Sequence, residues 1–79
     1  MFYVYILYSE VADKYYIGQT EDIDQRIVIH NLRRNLGMND WQLKYFENHE
    51  TRSEAVRRES DIKSKKRRAY LEHLISSAD

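Results

Sequence analysis

The sequence predicts a small α+β domain with the element order β-β-α-β-α-α, and three observations carry that expectation. Phe2 to Tyr8 and Tyr15 to Gln19 are rich in aromatic and β-branched residues and are separated by the polar stretch Glu10 to Lys14, which is the pattern of a hairpin. Helix-start chemistry then occurs twice, at Thr20-Glu21-Asp22-Ile23 and at Thr51-Arg52-Ser53-Glu54. Between the two helices, Trp41 to Asn48 returns to strand-like composition.

In chain order, the apolar strand Tyr3-Val4-Tyr5-Ile6-Leu7 opens the hairpin and Tyr15-Tyr16-Ile17-Gly18-Gln19 closes it. The Thr20 hydroxyl is expected to cap the first helix, and Glu21 and Asp22 favour the positive end of its dipole. That helix should run from about Asp22 to Leu36 and stop at Gly37. Asn39 and Asp40 supply turn chemistry before the third strand, which should lie next to the hairpin. Thr51-Arg52-Ser53-Glu54 is a capping-box pattern with Thr51 or Ser53 as the cap, so the second helix spans about Ser53 to Ser64. A last helix, Lys66 to Ser76, places Tyr70, Leu71, Leu74 and Ile75 along one side and can pack on the sheet.

Seventy-nine residues make one domain, since a chain of this size buries only about 60% of its unfolded surface, which leaves little room for deep burial. The absence of cysteine excludes disulfides and thiolate metal sites and fits a reducing cytoplasm. The longest apolar run, Met1 to Tyr8, is too short for a membrane span and lacks the flanks of a signal peptide. Formal charge is zero, but residues 1 to 25 hold one basic and five acidic residues, and residues 26 to 79 hold twelve basic and eight acidic. A phosphate-binding surface must therefore draw mainly on the helical part.

Two tyrosines on paired strands, followed by a helix that offers an arginine, can place phenol and guanidinium groups around one phosphate. At helical spacing Arg26, His30, Arg33 and Arg34 gather on one arc, which suits an anion-facing surface as well as a solvated one. For Glu59 the default is an exposed pair with Lys63, four residues on. The run Lys63-Ser64-Lys65-Lys66-Arg67-Arg68 reads as a solvated helix junction or as a place where phosphates are touched. His49 and His73 lack metal-ligand spacing with other donors and read as structural or surface residues.

Taken together, Tyr3 to Leu7, Tyr15 to Thr20, Asp22-Ile23 with Arg26 and His30-Asn31, and Thr51 to Ala55 with Glu59 and Ile62-Lys63 resemble the GIY-YIG nuclease superfamily. The likeness is to its small stand-alone members related to the catalytic domain of the excision-repair nuclease subunit. It covers nearly the whole chain and implies a central three-stranded antiparallel sheet and a DNA endonuclease that uses a divalent ion, Mg²⁺ or Mn²⁺. It also implies Tyr5 and Tyr16 as paired phenols, Arg26 as phosphate clamp, His30 as a helper one turn later and Glu59 as metal ligand. DNA contacts would fall to Arg33, Arg34, Lys63, Lys65 and Lys66.

Two features depart from that pattern. Tyr3 stands where the first motif has glycine, and Leu32-Arg33-Arg34-Asn35-Leu36-Gly37-Met38 continues a helical pattern where relatives run through a Gly-, Lys- and Thr-rich loop. The first helix also carries Val28, Ile29, Leu32 and Leu36 as an apolar stripe apart from Ile23 and Ile27, which the resemblance implies would face the sheet. The chain's own third strand or last helix could cover that stripe, or a second copy could pack stripe against stripe. Three readings stand: a nuclease, a binding module on the same fold without turnover, and a self-associating domain.

Overall fold

Side chains alternate across a strand, so a strand that is apolar at every position must be covered on both faces. Residues 2–9 form that strand, β1 (Phe2–Ser9), at the centre of a three-stranded antiparallel sheet. β2 (Lys14–Thr20) and β3 (Gln42–His49) flank it in the order β2-β1-β3. Three helices complete the chain: α1 (Ile23–Leu32), α2 (Arg52–Ser64) and α3 (Arg68–Ser77). The computed structural model describes residues 1–32, 39–65 and 67–77. The expected extension of α1 to Leu36, with its stop at Gly37, lies outside them, as does Lys66.

On one face Tyr5, Leu7 and Trp41 form a core with Ile23 and Ile27 of α1, Leu43 and the hairpin residue Ala12. On the other, Val4 packs with Ala55 and Ile62 of α2 and with Phe2, Ile17, Tyr70, Leu71 and Leu74. Central position gives more burial than chain length suggests: Val4, Ile6, Leu7 and Ala55 are fully excluded from solvent. The β1–β3 register shifts between Ile6, opposite Tyr45, and Leu7, opposite Leu43. Lys44 is the extra residue of this bulge, and it lets Leu43 enter the α1-side core while Tyr45, Glu47 and His49 turn to the α2 side.

Local chemistry sets several boundaries away from their expected places. Asp22, not Thr20, caps α1: its carboxylate accepts from Gln25 N at 3.1 Å, while Thr20 Oγ1 accepts from Asp22 N and closes the turn ahead. Trp41 precedes β3 because its backbone pairs with a side chain. Asn31 Oδ1 accepts from Trp41 N at 2.9 Å and Asn31 Nδ2 donates to Trp41 O at 3.3 Å. Thr51 caps α2 in a complete capping box, so the helix starts at Arg52. With Lys65 as the α2 cap, α3 begins at Arg68.

The hairpin loop is fixed from two sides. Ser9 Oγ donates to Asp40 Oδ1 at 2.6 Å, and Asp40 Oδ2 accepts from Val11 N, which holds the Asp40 carboxyl below its ordinary pKa. Asp13 adopts a left-handed φ of 54°, tolerated by aspartate in turns. Its carboxylate is bound by Arg68 of α3 and by the Tyr8 hydroxyl.

Candidate active site

Tyr5 lies opposite Gly18 on the edge strand β2. Its ring crosses that strand where no side chain stands: a Cβ at Gly18 would sit 2.5 Å from the Tyr5 hydroxyl and 2.8 Å from the ring carbon bearing it. Glycine is therefore required for close approach rather than for backbone conformation. Tyr16, two residues earlier, projects from the same face and stacks on Tyr5 with ring centroids 6.4 Å apart. Tyr5 is 2% exposed and Tyr16 38% exposed, so the pair has an inner and an outer phenol.

The α1 helix supplies the next two groups from one face. His30 is buried with its ring edge-on to Tyr16, centroids 4.3 Å apart, and Trp41 closes the far side at 6.0 Å from His30 and 6.3 Å from Tyr16. Arg26, one turn earlier, is exposed. Among the described residues no carboxylate forms an ion pair with it.

Glu59 arrives from α2. Ala55, Glu59 and Ile62 follow the i, i+4, i+7 spacing, so the carboxylate occupies the stripe that packs on the sheet, and its side chain is only 22% exposed. The expected pair with Lys63 forms, with Nζ 2.7 Å from Oε2. Glu59 nevertheless acts on Tyr5. Burial pushes the Tyr5 phenol up to about 12, Tyr16 adds to the rise, the Arg26 guanidinium opposes it and the Glu59 carboxylate reinforces it. Residues from β1, β2, α1 and α2 thus share one electrostatic neighbourhood.

Among the described residues no three His, Cys, Asp or Glu side chains gather into a cage for a metal ion. The donor present is a single hard carboxylate, Glu59. That fits an oxygen-seeking divalent ion such as Mg²⁺, which keeps several waters and takes one or two carboxylates together with substrate phosphate.

The cationic residues expected to meet DNA divide unevenly. Lys63 is held by Glu59, and Lys65 stands 3.9 Å from Asp61 and over the Tyr70 ring. Arg33, Arg34 and Lys66 lie outside the described residues. Val28 and Leu32 are 55% and 76% exposed, so the outer stripe of α1 is left open by the described elements, while Leu36 is outside them. His49 is structural, bonded to Glu47 at 3.0 Å.

Two contributors to this neighbourhood, Trp41 and Asn31, were given no role from sequence. Trp41 walls off Tyr16 and His30, and Asn31 anchors the segment that carries Trp41; neither has a sequence signal beyond a polar residue beside a helix histidine. Glu59, which the resemblance had implied, also carries a signal of its own, since a carboxylate at the sheet-facing spacing of Ala55 and Ile62 is out of place unless it is used. No helix among the described residues is long and apolar enough to cross a membrane.

Comparison with known proteins agrees with the geometry at the level of the family. No characterised protein and no solved structure matches the chain. A family model, the GIY-YIG catalytic domain, matches residues 1–72, a span that includes both strands of the hairpin, α1, β3, α2 and the first half of α3. The chain belongs to the GIY-YIG family of nuclease domains.

Proposed function

We propose that the domain is a metal-dependent DNA endonuclease that hydrolyses a phosphodiester at the β2 edge. The observation that carries this reading is the Tyr5 phenol under the joint influence of Tyr16, Arg26 and Glu59. Hydrolysis needs stabilised charge on the non-bridging oxygens, a proton acceptor for the attacking water and help for the departing oxygen. Arg26, which has no carboxylate to satisfy among the described residues, clamps the phosphate in a planar fork. Tyr5, held protonated far above neutral pH, donates a hydrogen bond and orients the reacting groups rather than serving as the base.

The proton of the attacking water passes to the Tyr16–His30 pair. Tyr16 is the member that solvent reaches, and an imidazole exchanges protons near neutrality. Water oxygen forms the new bond to phosphorus as the P–O bond to the departing strand breaks. A divalent ion on Glu59, Mg²⁺ or Mn²⁺, would neutralise charge on the phosphate oxygens. Before that, the Glu59 carboxylate must part from Lys63, an exchange of small cost because the lysine is half exposed.

Nicking of supercoiled DNA tests the proposal. Wild type should cleave only with a divalent ion, and Arg26→Ala and Glu59→Ala should each cut cleavage by at least about 10²-fold with an unchanged circular dichroism spectrum; cleavage at the wild-type rate by both variants overturns the assignment. The Glu59–Lys63 pair and the lone carboxylate favour a second reading, a DNA-binding module without turnover. It requires salt-sensitive binding and no cleavage under any divalent ion. The exposed Val28 and Leu32 further support a homodimer formed through the outer face of α1, with Ile29 in the same stripe and Leu36 continuing its spacing in the sequence.

A further inference from the structure

Beside the candidate active site, on the α2–α3 side of the same β2 edge, lies a depression of 270 Å³ whose lining includes Lys14, Tyr15, Ile62, Lys63, Arg67 and Arg68. We propose that it is a phosphate track: a groove that holds the backbone of one DNA strand running away from the scissile bond. The inference rests on the nuclease reading for the identity of its ligand, but not on turnover.

Four cations and one carboxylate, Asp13, border the depression, and that carboxylate is consumed internally. One terminal nitrogen of Arg68 donates to it while the other donates to the Asp13 backbone carbonyl at 3.2 Å, Tyr8 donates to it, and Arg68 Nε reaches Glu72 at 3.5 Å. The Arg68 guanidinium lies over the Tyr15 and Tyr8 rings, at 5.1 and 6.0 Å from their centroids. Arg68 thus forms a wall whose position is set by its partners. Lys14, at the start of β2, and Arg67, between α2 and α3, have no ion-pair partner among the described residues. They are separated by 53 positions in the chain and are brought to one hollow only by the packing of α3 on the sheet.

Continuity chooses the ligand. Lys63 lines the depression and also holds Glu59. Were Glu59 to hold a metal ion, the Lys63 ammonium would be freed for a neighbouring phosphate, and Lys14 and Arg67 border the same hollow. Two other hollows among the described residues differ in kind. One is lined by Glu21, Asp22 and Asp24 and repels phosphate. Another is bordered by Glu54, Arg58 and Asp61, which are already bonded within the protein.

The test is binding of a labelled DNA duplex by the full chain in chelator, titrated with salt. Each phosphate contact contributes a slope of about 0.9 to the fall of log K with log salt. Lys14→Ala combined with Arg67→Ala should lower the slope by about two, while Lys44→Ala, on the opposite edge strand, should leave it unchanged. An unchanged slope in the double variant overturns the track while cleavage by wild type keeps the nuclease reading. Loss of slope in the double variant with no cleavage by wild type supports the track and removes the nuclease reading. Polyglutamate that binds as tightly as DNA, with the same dependence on Lys14 and Arg67, overturns the assignment to a nucleic-acid strand.

Discussion

The two faces of the sheet use the same kinds of side chain and finish them differently. On the α2–α3 face, Glu47 accepts from Arg58 Nε at 2.7 Å, from the Tyr45 hydroxyl and from His49, and Arg58 reaches on to Asp61 at 2.9 Å and Tyr70 at 3.5 Å. These bonds hold the Glu47 carboxyl low even though burial opposes them. Toward the β2 edge, two tyrosines, a histidine, an arginine and a glutamate are assembled with the arginine unmatched and the inner phenol pushed upward by burial. A closed network ties β3 to α2. An incomplete one has capacity left for a ligand.

The sharpest way to break this contrast is to remove the arginine on each side. Arg26→Ala should cut DNA cleavage by about 10²–10³-fold, the range for losing one preorganised donor to a transition-state oxyanion, and shift folding stability by less than about 0.5 kcal/mol, as for a surface substitution. Arg58→Ala should do the reverse. It leaves the part-buried Glu47 carboxylate with fewer partners and costs on the order of 2–3 kcal/mol, read by urea unfolding, while the variant that remains folded keeps cleavage. Equal losses of stability in the two variants would mean that the faces are built alike.

Alkaline unfolding sharpens the contrast at Tyr5. The phenol is raised to about 12 in the folded chain against about 10 unfolded, so the folded state retains a proton that the unfolded state releases. The associated stability is fully present below about pH 10 and is lost as pH rises through the folded pKa, by on the order of 2–3 kcal/mol. Tyr5→Phe should remove that part of the decline between pH 10 and 12, leaving the share due to Tyr8, Tyr15 and Tyr45, which are also raised. Unfolding curves of both proteins across this window decide it; identical slopes mean that Tyr5 is not the buried titrant.

Next in size is Gly18→Ala. Its methyl group would meet the Tyr5 hydroxyl and ring, and because that side chain is buried it has little room to swing aside, so overpacking should cost about 1–3 kcal/mol. Activity should fall further than stability alone requires, because the displaced group is the inner phenol. Unchanged cleavage in the folded variant would separate Tyr5 from the chemistry.

How far the sequence could be read follows from the range of the interactions involved. Strands, helices and the Thr51 cap depend on residues within a few positions of one another, and those patterns predicted the element order, whereas the sheet-facing Ile23 and Ile27 came from the resemblance. Features set by distant partners were not legible. The β3 boundary depends on Asn31, ten residues away, holding the Trp41 backbone. The bulge at Lys44 appears only when β3 is aligned with β1. At the candidate site the five residues were chosen by resemblance, but their division into an inner phenol, an outer phenol and a histidine behind it comes from Gly18 and Trp41, whose contributions are steric.

The smallest expected effect on stability tests the outer face of α1, an apolar surface that the described elements leave open. Val28 and Leu32 are exposed, so Val28→Glu with Leu32→Glu removes little packing within the described chain and should change monomer stability by no more than about 0.5 kcal/mol per site. If the stripe is a contact between copies, wild type sediments as a dimer at concentrations where the double variant is a monomer. Apparent stability of wild type, but not of the variant, then rises with protein concentration by mass action. Matching monomeric profiles would show that this face is surface and that the open stripe of α1 does not join copies.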